Sequence, residues 1–505
     1  MLRLAPKATA VLEAVIVVAL ISAALTLLIR VPRTGYGEYV VEFWRNETGQ
    51  SIADFNSPEV VARQALSLAV FLLVVAFSVI SMELRYAAAF FGVAALLVTG
   101  TVAPQDLLNG VDWGLIFFLV GSMALAFILR SFRTFEWLAV EVLRLSRGNP
   151  RVLLLLISAL AWFLSMVVGE VTSIVYVTML ILDVRKLTRQ DARPLIISSV
   201  LATNTGSLAL PVGNPIGVYL AFAAGMRVTD FVVRALPLSL LALALLDAVL
   251  LVTLRGYLSA LGPSLSPERL AKYVEAFRAN LDRRTVARIR LGIAVLAAFL
   301  ATVLANDPLS SLLSSVAGAP VEPSRLLAFV PYIYLVVVAP FYGPQEMGRA
   351  MEAGVEWPSL MFFVALFMLG YSLLHTGVAS RLAYGVIEVS GGSSVNVDEL
   401  LSLLLASSST LSSVLDNLSV IVALTPVSRA IVPLVGGSSA FWALLYGGVL
   451  GGNFTPIGST ANIVAVGMAE REKIEVGWGD WLRVAFVPTL LQNLLAAAWL
   501  LLVAR

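Results

Sequence analysis

SSVLDNLSVIVALTP, Ser412 to Pro426, and GGVLGGNFTPIGSTANIVAVGMAE, Gly447 to Glu470, decide how this chain folds. Both are apolar runs of membrane character with an interruption inside. In the first, the pair Asp416-Asn417 stands among leucines and valines. In the second, Gly, Asn, Thr and Pro cluster between Gly451 and Ser459. A weaker copy lies earlier in the chain: LSMVVGEVTSIVYVTM (164–179), followed by TNTGSLALPVGNPIGVYLA (203–221). Polar, helix-breaking sequence at membrane depth is costly unless it lines a site. Two such breaks in each half, in matching places, are the pattern of a secondary transporter's binding site.

The composition sets the class. Of 505 residues, 59% are hydrophobic and 13% charged, which predicts an all-α polytopic membrane protein whose partner is the lipid bilayer. A net charge of +2 gives no reason to expect nucleic acid. With no cysteine there are no disulfides, thiolate metal sites or Cys nucleophiles. The single histidine, His375, argues against a His-based metal centre or a Ser-His hydrolase. An enzyme is therefore a poor reading, and no cofactor or structural metal is expected; Na⁺ enters only as a transported or coupling ion. Arg3 and Lys7 precede an apolar stretch too long for a signal-peptide core, which predicts a retained first helix and a cytoplasmic N-terminus in a multi-pass cell-membrane protein.

The chain divides into residues 1–61, a helix and an acidic external loop; 62–255, a first repeat; 256–290, a cytoplasmic linker; and 291–505, a second repeat. Helices are expected at 8–30, 62–80, 85–103, 112–130 and 231–254, then at 291–306 and 324–341. Arg130, Arg133, Arg144, Arg147 and Arg151 mark a cytoplasmic segment by the positive-inside rule. SFRTFEWLAVEVLRLSRGNP (131–150) reads as a helix lying along the membrane surface, or as an extension of the helix before it. Residues 152–184 break at Gly169-Glu170 into arms of about 15 residues, ~22 Å each, short of the ~30 Å hydrocarbon core. With Arg185, Lys186, Arg189 and Arg193 beyond it, the segment is expected to be a re-entrant hairpin with Glu170 at its tip.

The second half repeats this order. VEWPSLMFFVALFMLGYSLLHTGVASRLA (355–383) echoes VDWGLIFFLVGSMALAFILRSFRTFEWLA (111–139). Glu170 falls opposite Asn417, and Pro211-Val212-Gly213 opposite Pro456-Ile457-Gly458. A near-constant register carries these matches, so they form an internal repeat. Counting crossings gives eleven transmembrane helices plus two re-entrant hairpins and two broken helices, with the two repeats inverted.

Four helix N-termini, at Glu170, Asn417, Asn214-Pro215 and Ser459-Thr460, are expected to meet near the bilayer centre. Their unpaired N–H groups and positive dipole ends suit an anion or a polar solute. The residues expected to bind solute or ion are Glu170, Thr172, Ser173, Asn204, Thr205, Gly213, Asn214, Asp416, Asn417, Ser419, Asn453, Thr455, Ser459, Thr460 and Asn462. Asp416, Glu170 and Asp247 are the proton-coupling candidates, since carboxylates suit Na⁺ or a transferable proton. Asp416 has a plainer reading as an N-cap; Asn417 would cap instead if Asp416 were left free. Asp247, within LALALLDAVLLV, is either a proton relay or the neutral partner of a polar neighbour. Asp112 and Glu356 stand at helix starts and read as structural, as does His375.

VEWPSLMFF, LSSVLDNLS and LGGNFTPIGSTANIVAVGMAE, with the first-half FEWLA…GNP run and VGNPIG, resemble the ion transporter superfamily. The nearest pattern is its branch of arsenite permeases, NhaD-type sodium–proton antiporters, silicon efflux transporters and the melanosomal P protein. The likeness covers roughly 110–500 and implies two re-entrant hairpins, an elevator or rocking motion, and often a homodimer. It gives Asp416 and Asn417 the ion or substrate role. That branch usually carries Asp-Asn at both tips, and here the first tip is Gly169-Glu170. The Ser-Asn-Thr tips of dicarboxylate carriers do not occur, which argues against citrate-like substrates. The expected function is ion-coupled transport of a small inorganic ion or solute, arsenite-permease-like anion or oxyanion export coupled to protons or Na⁺, with Na⁺/H⁺ antiport as the alternative and a passive channel as a distant one.

Overall fold

The structure is a computed structural model, and it describes residues 8–392 and 395–503. Among the described residues every regular element is helical. Apolar segments without access to water must satisfy their backbone internally, and a helix does so within one segment. Among the described residues nine helices are long and apolar enough to cross a membrane, and Val17–Leu28 and Arg85–Val98 are shorter apolar helices. Large apolar side chains stand exposed around the outside, among them Leu28, Phe91, Val336 and Leu494. A bilayer, not water, is the solvent that fits such a surface. The protein is a polytopic membrane protein.

Two helices open the described chain: α1 (Ala8–Leu28) and α2 (Tyr36–Thr48). Arg3 and Lys7, read as the cytoplasmic flank, lie outside the described residues. Then come α3 (Pro58–Ile80), α4 (Arg85–Val98), α5 (Trp113–Ser131), α6 (Thr134–Ser146), α7 (Pro150–Val168), α8 (Glu170–Thr188), α9 (Arg193–Ser207), α10 (Pro215–Ala223) and α11 (Leu236–Thr253). The linker carries α12 (Pro267–Ala279). The second half has α13 (Arg283–Leu304), α14 (Pro323–Tyr342), α15 (Trp357–His375), α16 (Val378–Val389), α17 (Val397–Ser412), α18 (Asn417–Val435), α19 (Ser439–Gly451), α20 (Thr460–Arg471) and α21 (Trp478–Leu502). Short helices and turns join these.

The order α3 to α11 recurs as α13 to α21, and the packing recurs with it. Helix α7 packs on α9 as α17 packs on α19. Across the halves, α4 packs on α15 and α14 on α5. The same close approach is met twice: a Cβ on Gly206 would lie 2.2 Å from the Trp162 carbonyl oxygen, and one on Gly451 would lie 2.3 Å from that of Ser409.

Two details bear on the sequence reading. Residues 131–150 do not extend the preceding helix: Arg133 takes left-handed backbone (φ 60°) and starts α6 as a separate element packed on α7 and α12. The arms of the first hairpin, α7 and α8, are 19 residues each, about 28 Å, rather than about 15. Length therefore does not show that they stop short; contacts show that they double back. Ser173 Oγ donates to the Ala161 carbonyl at 2.8 Å, which a continuous helix could not allow. Both open ends also touch the linker: Gly148 lies against Leu265, and Asp183 Oδ2 accepts from Tyr273 at 2.7 Å. The open end of α18 lies elsewhere, where Tyr39 of α2 donates to the Ala430 carbonyl.

One buried cation fastens the N-terminal segment. Arg381 on α16 is 2% exposed and donates to Gln64 Oε1, Asn56 Oδ1 and the carbonyls of Ile29 and Phe55. Its guanidinium also lies 5.2 Å from the Phe55 ring centre. Arg381→Met is expected to keep the volume and orphan these acceptors, costing on the order of 3 kcal/mol. A clear fall in Tm in detergent checks this; an unchanged Tm would show that the clasp holds nothing.

Candidate functional site

Gly169 makes the first tip. Its φ of 90° and ψ of 156° reverse the chain between α7 and α8, a conformation that a β-carbon opposes. No side chain caps the helix that starts there. Glu170, in the first turn of α8, is 8% exposed. It borders a cavity of about 270 Å³ together with Thr172, Asn214, Phe118, Arg130 and Glu356. Arg130 and Glu356 are exposed, so the cavity runs from the protein surface to the tip.

The second tip is Asp416-Asn417. Asp416 Oδ2 accepts from Ser419 N at 3.1 Å and from Ser419 Oγ at 3.0 Å, so Asp416 is the N-cap of α18 and Asn417 is the first helical residue. Asn417 is 6% exposed, and its Oδ1 has no partner. Gly452 lies against it: a Cβ there would fall 2.9 Å from both amide atoms of Asn417 and from the Gly458 carbonyl. Ser412 adds a buried hydroxyl without a partner. The two tips are linked through the second break: α8 packs on the helix that starts at Thr460, and the Thr455 hydroxyl donates to the Ser413 carbonyl beside the second tip.

The two broken helices supply the middle. The first unwinds over 208–214 and restarts as α10; Asn214 Oδ1 caps it by accepting from Gly217 N at 2.6 Å. Asn214 Nδ2 donates back to Ser207. The second unwinds over 452–459 and restarts as α20, capped by Ser459 Oγ accepting from Ala461 N. A hydrogen-bond network joins the two breaks. Asn204 Nδ2 donates to Asn453 Oδ1 at 2.7 Å and to Asn462 Oδ1 at 2.9 Å, and Asn204 Oδ1 accepts from Ser459 Oγ at 3.2 Å. Asn462 Nδ2 donates to the carbonyls of Gly452 and Thr455. Thr455 Oγ1 in turn donates to the Ser413 carbonyl and ties the second break to the second tip.

Among the expected site residues, the structure gathers Asn204, Asn453, Thr455, Ser459 and Asn462 into this network, with Asn417 at its edge. Thr172 and Asn214 line the first cavity. Gly213 is a packing position, since a Cβ would meet the Ser207 carbonyl at 2.5 Å. Ser173 and Thr205 direct their hydroxyl protons to backbone carbonyls of their own surroundings. Thr460 is half-buried at the start of α20. Asp247 lies apart on α11. The expectation of four open helix N-termini is corrected: Asp416, Asn214 and Ser459 already cap three, and the α8 terminus alone lacks a side-chain cap. Asp416 caps with one oxygen, and Asn417 does not cap.

Sequence reading assigned no site residue to α21. Trp481 Nε1 donates to the Asn453 carbonyl, Gln492 Nε2 to Thr205 Oγ1 and to the Ala242 carbonyl, and Asn493 Oδ1 accepts from Ser409 Oγ. The signal was the Gln492-Asn493 pair inside an otherwise apolar run.

A helical membrane scaffold with polar helix breaks at its centre is the architecture of a transporter. The sequence profile of the family described as citrate transporter matches residues 72–447 and again 335–504, and the chain belongs to that family. It is 30% identical over 423 residues to an uncharacterized transporter of Mycobacterium bovis, covering 82% of this chain and 92% of that one. It is 24% identical to the human P protein over 78% of this chain and 54% of that protein. Its fold is similar to that of the YdaH transporter of Alcanivorax borkumensis, with a TM-score of 0.50, 18% identity, and coverage of 87% of this chain and 97% of that one. Family and relatives indicate a secondary transporter rather than an enzyme.

Proposed function

We propose that the chain is an ion-coupled secondary transporter that exports a small inorganic anion or oxyanion, arsenite-like in chemistry, in exchange for protons or Na⁺. The carrying observation is the hydrogen-bond network that joins both helix breaks, with α8 packed on α20 and Thr455 tied to the second tip. Acid groups at the tips hold the coupling cation. The uncapped N-terminus of α8, open to the cavity at Glu170, offers N–H groups to the oxyanion or its neutral hydroxide. In this reading α7–α8 and α17–α18 are re-entrant hairpins of two inverted repeats, and the basic face and the N-terminus are cytoplasmic.

Purified protein in liposomes, given an imposed proton or Na⁺ gradient, is expected to move arsenite; flux no greater than that of protein-free liposomes for arsenite and for other small oxyanions would end this reading. A second reading, Na⁺/H⁺ antiport, is favoured by one feature: Asn417 Oδ1 is buried without a partner beside the Gly458 carbonyl, an oxygen set that suits Na⁺. External Na⁺ or Li⁺ would then change the pH inside the liposomes with no oxyanion present.

A further inference from the structure

Asp247 sits in the middle of α11, away from both tips. Its Oδ1 is buried without a hydrogen-bond partner, and it belongs to no ion pair among the described residues. The side chain that faces it is Ser158 on α7, itself fully buried and with its hydroxyl unpartnered. The ionisable groups on the elements packed against α11 are all near helix ends. They are Arg151 on α7, Arg193 on α9, Asp480 and Arg483 on α21, Arg255 and Tyr257 after α11, and Arg234 before it. Arg193 is paired with Asp191 and Asp480, and Tyr257 with the Asp191 carbonyl.

The same helix pair continues toward the central network. One turn after Ser158, Trp162 Nε1 donates to Ser239 Oγ, two turns before Asp247 on α11. Ser239 Oγ donates to the Thr205 carbonyl, and Thr205 adjoins Asn204. Polar side chains therefore recur along the α7–α11 contact, at Asp247 and Ser158 and again at Trp162 and Ser239, the second pair bonded to the Thr205 carbonyl. A carboxylate in the middle of an apolar helix is costly at membrane depth, and no cation here offsets it.

We infer that Asp247 and Ser158 form a proton-binding site at the α7–α11 interface, separate from the hairpin tips. The carboxylate takes one proton from hydronium, releasing water, and the neutral carboxyl, with Ser158 Oγ as its adjacent polar group, returns that proton to water as hydronium; no other bond changes. The site's part in coupling rests on the transporter reading above, whereas its proton binding does not.

A hydrophobic carbodiimide, which adds only to protonated carboxyls in apolar surroundings, tests this on the purified full-length protein. Peptide mass mapping is expected to find the adduct on Asp247, with a yield that falls as pH is raised and vanishes in Asp247→Asn. No adduct at acid pH, or a yield independent of pH, would overturn the inference. That result is read without transport, so it stands whether or not a solute is ever found and whether or not the variant folds. In liposomes that move solute, Asp247→Asn is expected to lose the accompanying proton movement; an unchanged proton signal would remove Asp247 from the coupling.

Discussion

Asp416→Asn is expected to fold like the parent protein and to lose ion-driven transport to the level of empty liposomes. The two halves of this result have separate causes. Asp416 caps α18 through one oxygen bound to Ser419, and Asn is as good a cap as Asp. The hairpin therefore keeps its N-cap bond, and Tm should scarcely move. What disappears is one negative charge at the second tip. Asp416→Ala removes cap and charge together, with an added stability loss of about 1 kcal/mol. Parental flux in Asp416→Asn would show that the carboxylate is only a cap. The measurement is transport in liposomes beside Tm in detergent.

The second large effect is expected from Asn204→Leu, a change that keeps the branching and the number of side-chain heavy atoms and removes both side-chain polar atoms. Three bonds are lost, to Asn453, Asn462 and Ser459. Within membranes a side-chain hydrogen bond averages only ~0.6 kcal/mol, so the bonds themselves are the smaller part. The larger part is what stays behind: two amide oxygens and a hydroxyl, all fully or nearly fully buried, at about 1–3 kcal/mol per orphaned group. The total is on the order of 4 kcal/mol, a large share of a typical stability. Ser173→Ala, which loses one bond to a carbonyl, is the control and should cost less than about 1 kcal/mol. Equal Tm values for Asn204→Leu and Ser173→Ala would deny the network its structural role.

Much of this arrangement can be read from the chain. The breaks at Gly169-Glu170, Asp416-Asn417, Asn214-Pro215 and Ser459-Thr460 announce themselves, because each sets helix-breaking or capping residues inside an apolar run. Arm lengths were not legible: hydrophobicity fades toward the basic ends of α7 and α8, while the backbone stays helical through Arg151 and Arg185. The central network was legible as a set of polar residues but not as a set of bonds. Asn204, Asn453 and Asn462 do not occupy equivalent places in the repeat. In the register that aligns Gly213 with Gly458, Asn204 stands opposite Val449 and Asn462 opposite Gly217. Repeat reasoning finds symmetric features, and this network is built across the halves from unlike positions. The contribution of α21 was hidden for a related reason, since an apolar helix with one Gln-Asn pair does not say which neighbour it serves.

The most direct test of coupling asks whether transport runs uphill. Liposomes containing the protein are prepared with equal arsenite on both sides, and a proton or Na⁺ gradient is then imposed. Coupled export predicts net arsenite movement against the concentration difference that develops, an opposite movement of the driving ion, and loss of both in Asp416→Asn. Arsenite that moves only until concentrations are equal, whatever ion gradient is present, would make this a passive pathway and contradict the account.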